Sequence, residues 1–398
     1  MKTIKKIMAA LICMTIALTG IPISVKAADS SGSMSTEMET NSELFITLEE
    51  NKDYRWNVND DAGKSSVVHL DTSEGNNCRF RLDHIEKEWY GIKHIKVNGT
   101  EKAGIVLKNG VLPIEALNAA KGTAWAEDVM SLIQKQQIPG LTKWYNAGGK
   151  EELESIPGLV PSEKVVYGPL YRNPKRIFGI GLNYADHAGD IGSAAPKGFP
   201  GSFFKQADTL IGPDDEILLP KLKEAQKTTA EAELGIIMGK DCRDISEENW
   251  QDAIVGYTTI LDMTEESILK GNDYVSGNPR YLTIVKNFPT FFSFGPELVT
   301  PDEVPDVNEL LVQSVHNGEV HAENVVANMT HRPPRLVSLH SSIQGWYAGD
   351  ILSTGTPRAF HIQDGDVAEC RITGPDGFEM TPLVNPVVDL KKHPEKEV

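Results

Sequence analysis

The chain has 398 residues, of which 40% are hydrophobic and 24% charged, and a formal net charge of −17. That length suits one large domain plus a smaller one, each resting on a hydrophobic core. A charge this negative excludes an electrostatic hold on nucleic acid or anionic membranes. The four cysteines are Cys13, Cys78, Cys242 and Cys370, too scattered for a disulfide framework or a cysteine-type metal site.

The N-terminus predicts a signal peptide over residues 1–27. Lys2, Lys5 and Lys6 form a basic start, Ile7 to Ile23 is uncharged and largely apolar, and Val25-Lys26-Ala27 offers a cleavage site. Loss of that segment, which holds four lysines and no acids, takes the net charge from −17 to −21. A secreted mature chain beginning at Ala28 is expected, with no membrane association after cleavage. Cys13 resembles a lipoprotein box only weakly, because Ile12 stands where a small residue is needed.

Residues 28–43 are small and polar and predict a disordered leader. Residues 44–174 predict a β-rich cap region. Alternation is clearest in Cys78-Arg-Phe-Arg-Leu82 and Glu88-Trp-Tyr-Gly-Ile-Lys-His-Ile95. The stretch around Asn77–Leu82 and Trp89–Ile92 resembles one repeat of a ricin-type carbohydrate-binding trefoil. Three repeats are needed to bury a trefoil core and only one is present, so a small β cap is the preferred reading. Gly104 to Ile114 predicts a hairpin with its turn at Asn109-Gly110. Ala124 to Gln136 predicts an amphipathic helix. Residues 175–389 predict the main domain, strand-rich, with helices near Glu247–Val255 and Pro334–Ala348.

Within that domain Glu231 and Glu233 stand two residues apart in Thr-Thr-Ala-Glu-Ala-Glu-Leu-Gly-Ile-Ile-Met-Gly, and Asp262 ends the apolar run Tyr257-Thr-Thr-Ile-Leu-Asp262. On a strand, residues i and i+2 share a face roughly 6.5–7 Å apart. Buried carboxylates so placed repel one another unless a cation lies between them. An all-oxygen donor set suits Mg²⁺, Mn²⁺ or Ca²⁺. The alternative is a solvent-facing edge strand whose glutamates confer solubility.

Several stretches, taken in order, resemble the fumarylacetoacetate hydrolase family. They are Arg176-Ile-Phe-Gly-Ile-Gly-Leu-Asn183-Tyr184-Ala-Asp-His187, Glu231-x-Glu233, Asp262, Lys286, Asn317-Gly318 and Gly349-Asp350-Ile-Leu-Ser-Thr354-Gly355-Thr356-Pro357. The resemblance covers roughly residues 100–388. It implies an α+β, strand-rich fold, a mixed β-roll with a small N-terminal β-rich region, and a homodimer. It also implies a divalent metal held by Glu231, Glu233 and Asp262. His187 matches the family's general base, with Asp190 in place of the carboxylate that orients it. Lys286 would offer charge to a substrate carboxylate or developing enolate, and Thr354, Gly355 and Thr356 would supply donors to the substrate. Tyr184 and Arg280 complete the expected substrate-facing set.

Two positions depart from the pattern. Where many relatives carry Arg four residues and Gln seven residues after the metal-binding Asp, this chain has Glu266 and Leu269. Arg280 is the candidate replacement cation. The Gly179-x-Gly181 pair lacks the third glycine of a dinucleotide loop, since Tyr184 occupies its place. Neither a Gly-x-Ser-x-Gly elbow nor a His-Glu-x-x-His motif is present. The expected activity is metal-dependent hydrolysis of a carbon–carbon bond in a 2-oxo acid or 1,3-dicarbonyl compound. The alternatives are decarboxylation or keto–enol isomerisation on the same site, or a secreted binding protein without turnover.

Overall fold

The computed structural model describes residues 92–97, 100–190, 194–270, 281–304 and 306–396, together with four short strands at 24–27, 33–37, 55–58 and 67–71. The chain divides into two units, Met1–Lys87 and Glu88–Val398. In the first, Ser24–Ala27, Ser33–Glu37, Val67–Asp71 and Arg55–Val58 pair in that order as an antiparallel sheet. The Ser33–Glu37 strand falls inside the stretch whose composition predicts a leader. The apolar start of the signal segment and the alternating run at Cys78–Leu82 lie outside the described residues.

The second unit is built around two long antiparallel strands, Thr228–Met238 and Ile254–Glu265, buried along their whole length. Neither is an edge strand. They lie inside an eight-stranded mixed sheet that also contains Ile177–Gly181, Gly201–Lys205, Phe292–Phe294 and Ile351–Ser353. Side-chain alternation gives the long strands two different jobs. Ala230, Ala232, Leu234, Ile236 and Met238 join a core shared with Val312, Cys370, Ile372 and Leu383, which belong to a separate five-stranded sheet. The opposite parity carries Glu231, Glu233, Gly235 and Ile237, because successive side chains on a strand point to opposite faces.

A third sheet ties the N-terminal part of this unit to the rest. Glu297–Leu298 pairs with Ile92–Val97, and the order continues through Thr100–Leu107, Gly110–Pro113 and Val160–Pro161. Ile105, Leu112 and Leu132 share a core with Ile237, Ile260 and Phe292 of the central sheet.

Local differences from the sequence reading have local causes. The hairpin closes at Leu107↔Gly110, so its two-residue loop is Lys108-Asn109, one position earlier than expected. The helix expected over Ala124–Gln136 is only Val129–Gln134, because Asp128 caps it by accepting from the Ser131 N–H at 2.8 Å, and a separate helix, Ile114–Lys121, precedes it. The helix expected over Glu247–Val255 is a 3₁₀ turn at Trp250–Ala253, after which Ile254 enters the long strand. The last helix runs Pro333–Ile343 and stops before Gly345, whose φ is +70°. Asn317 and Gly318, both at positive φ, form the turn between Leu311–His316 and Glu319–Val325. Both central turn residues of a type I′ hairpin need that conformation.

Candidate active site

Glu231 and Asp262 are direct cross-strand partners, and Glu233 stands two residues along the same face. All three are buried, at 8%, 0% and 1% exposure respectively. One carboxylate oxygen from each lies within 4.8 Å of the others. Three acids this close in an apolar interior require counter-charge.

Two lysines supply part of it. Lys286, at the end of the short Leu282–Val285 helix, donates to Glu231 Oε2 at 2.9 Å and to Asp262 Oδ2 at 2.7 Å. Its ammonium also lies 4.6 Å from the centre of the Phe203 ring. That ring packs where a Cβ on Gly179 would stand, only 2.3 Å away. Gly179 thus serves strand packing. Lys205 donates to Asp262 Oδ1 at 2.5 Å and to the Met263 carbonyl at 3.1 Å. The sequence reading missed Lys205. Its signal is parity, because it shares the buried face of Phe203 on the Gly201–Lys205 strand.

The remaining partners are hydroxyls and a backbone amide. Thr264 Oγ1 donates to Glu231 Oε1 at 3.0 Å. Ser353 Oγ and the Gly355 N–H both donate to Glu233 Oε2 at 2.6 Å. Burial, then Asp262 and Glu231, push Glu233 up to about 8. Burial also opposes ionisation of Glu231, but Lys286 and His187 outweigh it and leave the group below its usual range. Burial lowers Lys205 to about 8 despite the pull of Asp262. For Lys286 the surrounding acids outweigh burial and raise it above its usual value.

The Ala185–Asp190 helix carries His187, which is buried, with its Nδ1 enclosed and without a hydrogen-bond partner. Tyr184, fully buried just before that helix, has a hydroxyl in the same condition. Burial and the charge of Glu233 hold this hydroxyl in its neutral form. Asp190 falls at the end of the helix, and its side chain lies outside the described residues, as does Arg280 altogether. Glu266 opens the Glu266–Lys270 helix directly after the Asp262 strand, its N–H donating to the Lys227 carbonyl. Leu269 lies on the same helix, half-buried.

The Thr354-Gly355-Thr356 turn is engaged internally. Thr354 Oγ1 donates to the Leu234 carbonyl at 2.8 Å, and Thr356 Oγ1 to the Arg358 carbonyl at 3.3 Å. The Gly355 amide is the one that holds Glu233. Asn183 locks this turn in place. Its Nδ2 donates to the carbonyls of Thr354 and His331, and its Oδ1 accepts from the His331 N–H.

These residues fit a hard divalent cation. The three acids outnumber the two lysines, their crowding together with burial raises Glu233, and every candidate ligand atom is a carboxylate oxygen. The enclosed, unpartnered His187 Nδ1 and Tyr184 hydroxyl are what a site awaiting further polar ligands would contain.

A strand-rich α+β fold with three buried acids on two paired strands matches a known enzyme family. The sequence model for the fumarylacetoacetate (FAA) hydrolase C-terminal domain matches residues 176–388. The chain belongs to the fumarylacetoacetate hydrolase family. An uncharacterized protein of Archaeoglobus fulgidus is 34% identical over 200 residues, covering 50% of this chain and 75% of the relative. Among solved structures, maleylpyruvate hydrolase from Sphingobium sp. SYK-6 is 25% identical with a TM-score of 0.57, covering 75% of this chain and 99% of its own. That enzyme has also been solved with manganese(II) and pyruvate. Fumarylacetoacetate hydrolase from Exiguobacterium antarcticum, at 24% identity and a TM-score of 0.59, covers 75% of this chain and 99% of its own and shares the fold.

Proposed function

We propose that this protein is a divalent-metal-dependent hydrolase that cleaves a carbon–carbon bond in an acylpyruvate-like 2-oxo acid or 1,3-dicarbonyl compound. The observation that carries the reading is the buried trio Glu231, Glu233 and Asp262, with His187 and Tyr184 each holding an enclosed, unpartnered polar atom. The manganese and pyruvate bound by a structural relative support the same ligand chemistry. Mg²⁺ or Mn²⁺ is the proposed ion, held by those three carboxylates.

A bound divalent cation would supply Lewis-acid polarisation of a substrate carbonyl. His187 would take a proton from water through an unprotonated ring nitrogen, and the hydroxide so formed would add to the distal carbonyl carbon. The bond between that carbon and the 2-oxo acid fragment then breaks. Its electron pair goes to the fragment, which later takes up a proton. The positive charge of Lys286 lowers the cost of negative charge developing there. The neutral hydroxyl of Tyr184 is suited to donate to a substrate oxygen. Secretion of the mature chain and assembly as a homodimer belong to this proposal too.

Turnover of a 2-oxo acid panel in ¹⁸O-labelled water tests the reaction class. Hydrolysis places the label in a carboxylic acid product. Turnover without that label, with release of CO₂ or a shifted double bond, would establish the decarboxylase or isomerase alternative. Metal binding without turnover of any such compound would favour a binding protein.

A further inference from the structure

His187 rides on a helix of only six residues, Ala185–Asp190. A helix that short has almost no stability of its own, so tertiary contacts must set its position. Two polar atoms of this segment, the Tyr184 hydroxyl and His187 Nδ1, are enclosed and make no hydrogen bond, so they do not fasten it. The hold comes from Thr330 and His331, far along the chain. Before the helix, the Asn183 carbonyl accepts from the Thr330 N–H at 2.7 Å. The Asn183 side chain accepts from the His331 N–H at 2.8 Å and donates to the His331 carbonyl at 2.9 Å. After the helix the partner is His331 again, its Nε2 lying 2.5 Å from the Pro196 carbonyl oxygen. A carbonyl can only accept, so Nε2 carries the hydrogen in this bond. His331 is buried, at 5% exposure. It is also anchored, because the Pro333–Ile343 helix that follows it places Leu336 and Val337 in the main core. The hydrogen bond that reaches the short helix itself, from Asn324 Nδ2 to Asp186 Oδ2, is longer at 3.3 Å and exposed.

We propose that His331 is a positioning residue for His187, its main chain fastening the segment before the helix and its ring fastening the segment after it. Only the ring bond depends on the side chain. Substitution at 331 therefore releases the Pro196 end and leaves the Asn183 contacts in place. Where it concerns turnover, this inference rests on the general-base role given to His187 above. A general base must lie within hydrogen-bond reach of the proton it takes, and a misplacement of about 1 Å can cost about 10²-fold in rate. None of the His331 bonds reaches Glu231, Glu233 or Asp262, so the effect on metal binding should be small.

The test uses the full chain with Mn²⁺ present and three substitutions. His331→Phe keeps a ring and loses the donor. His331→Gln places an amide N–H at the reach of Nε2, whereas His331→Asn falls short of it. Amide hydrogen exchange read by mass spectrometry should be about two- to tenfold faster over residues 185–190 in His331→Phe and His331→Asn. It should stay near wild type in His331→Gln, with the strands at 228–238 and 254–265 unchanged in all three. On any 2-oxo acid that the wild type turns over, kcat should fall by about tenfold or more in the first two variants. KM and Mn²⁺ affinity should hold, and His331→Gln should recover the rate. If His331→Phe does not fold, the two amide variants decide between them. Unchanged exchange over 185–190 without the donor overturns the proposal, as does a loss in His331→Gln equal to that in His331→Asn. Faster exchange with an unchanged kcat overturns the positioning role. A wild type that turns over no such compound overturns the activity reading alone, and the exchange comparison still decides whether His331 holds the helix.

Discussion

Glu231 and Asp262 stand directly opposite each other on the two longest strands of the central sheet, and Lys286 donates to both. Like charges placed opposite one another normally destabilise a strand pair. The ladder tolerates this pair because it sits in a cluster of lysines and hydroxyl donors, which makes the cluster sensitive to substitution in ways that differ from residue to residue.

Asp262→Asn should be the most damaging change at the centre. Asp262 is fully buried and is the shared partner of Lys205 and Lys286. Breaking a buried pair by removing one partner costs about 3–5 kcal/mol. Denaturant unfolding of the metal-free variant should show a loss of that size, together with loss of Mn²⁺ binding. Glu233→Gln, whose carboxylate meets Ser353 and the Gly355 amide and no lysine, should lose metal affinity with a smaller loss of stability. Equal stability losses in the two variants would contradict this account.

Metal uptake should release a proton at neutral pH. Glu233 is pushed up to about 8, so below that pH it binds a proton that a cation must displace. Metal affinity should therefore rise with pH through that region. The metal-free protein should show the opposite trend in stability. A group raised in the folded state stabilises fully below its unfolded pKa, and that contribution is lost as pH rises from about 4.5 towards about 8. Calorimetry in buffers of different ionisation enthalpy measures the proton release directly, and a count near zero at pH of about 7 would refute it.

His187→Ala should lower turnover by about 10²–10⁴-fold while leaving Mn²⁺ affinity nearly unchanged. The imidazole lies near Glu231 but is not among the three clustered acids. Parallel rate and metal-binding measurements separate the two effects. Wild-type turnover in the variant would mean that another group activates water.

Gly355→Ala should disturb both backbone and metal site. Gly355 sits at φ +99°, and a Cβ there would lie 2.8 Å from Asn183 Cβ and 3.1 Å from the Ile180 carbonyl oxygen. Strain of this kind costs about 1–3 kcal/mol. Because the displaced amide is a donor to Glu233, Mn²⁺ affinity should fall as well. A variant with wild-type melting and metal binding would show that the turn can yield without consequence.

The N-terminus offers a separate check. On the proposal that the chain is secreted, sequencing of the protein recovered from the medium should begin at Ala28, because the basic start and the Val25-Lys26-Ala27 site have the pattern of a secretion signal. Met1 on the recovered chain, or a lipid on Cys13, would contradict this.

Much of the centre was legible along the chain. Glu231 and Glu233 share a face because a strand alternates with period two, and the apolar runs around them and around Asp262 read as strands. Spacing alone could not put Asp262 opposite Glu231, because register comes from pairing between distant segments and a shift of one residue would turn it to the other face. The same limit hid Lys205, which lies 57 residues from Asp262 and looks like an ordinary basic residue until the sheet closes. It also concealed that the Gly355 amide holds Glu233 and that the Thr354 hydroxyl is taken by the Leu234 carbonyl. The sequence by itself determined that Glu231 and Glu233 share a strand face, and left a buried metal site and a solvent-facing edge strand both open. Only the tertiary structure decided which cations and donors meet them, because those contacts join segments whose separation along the chain carries no local periodicity.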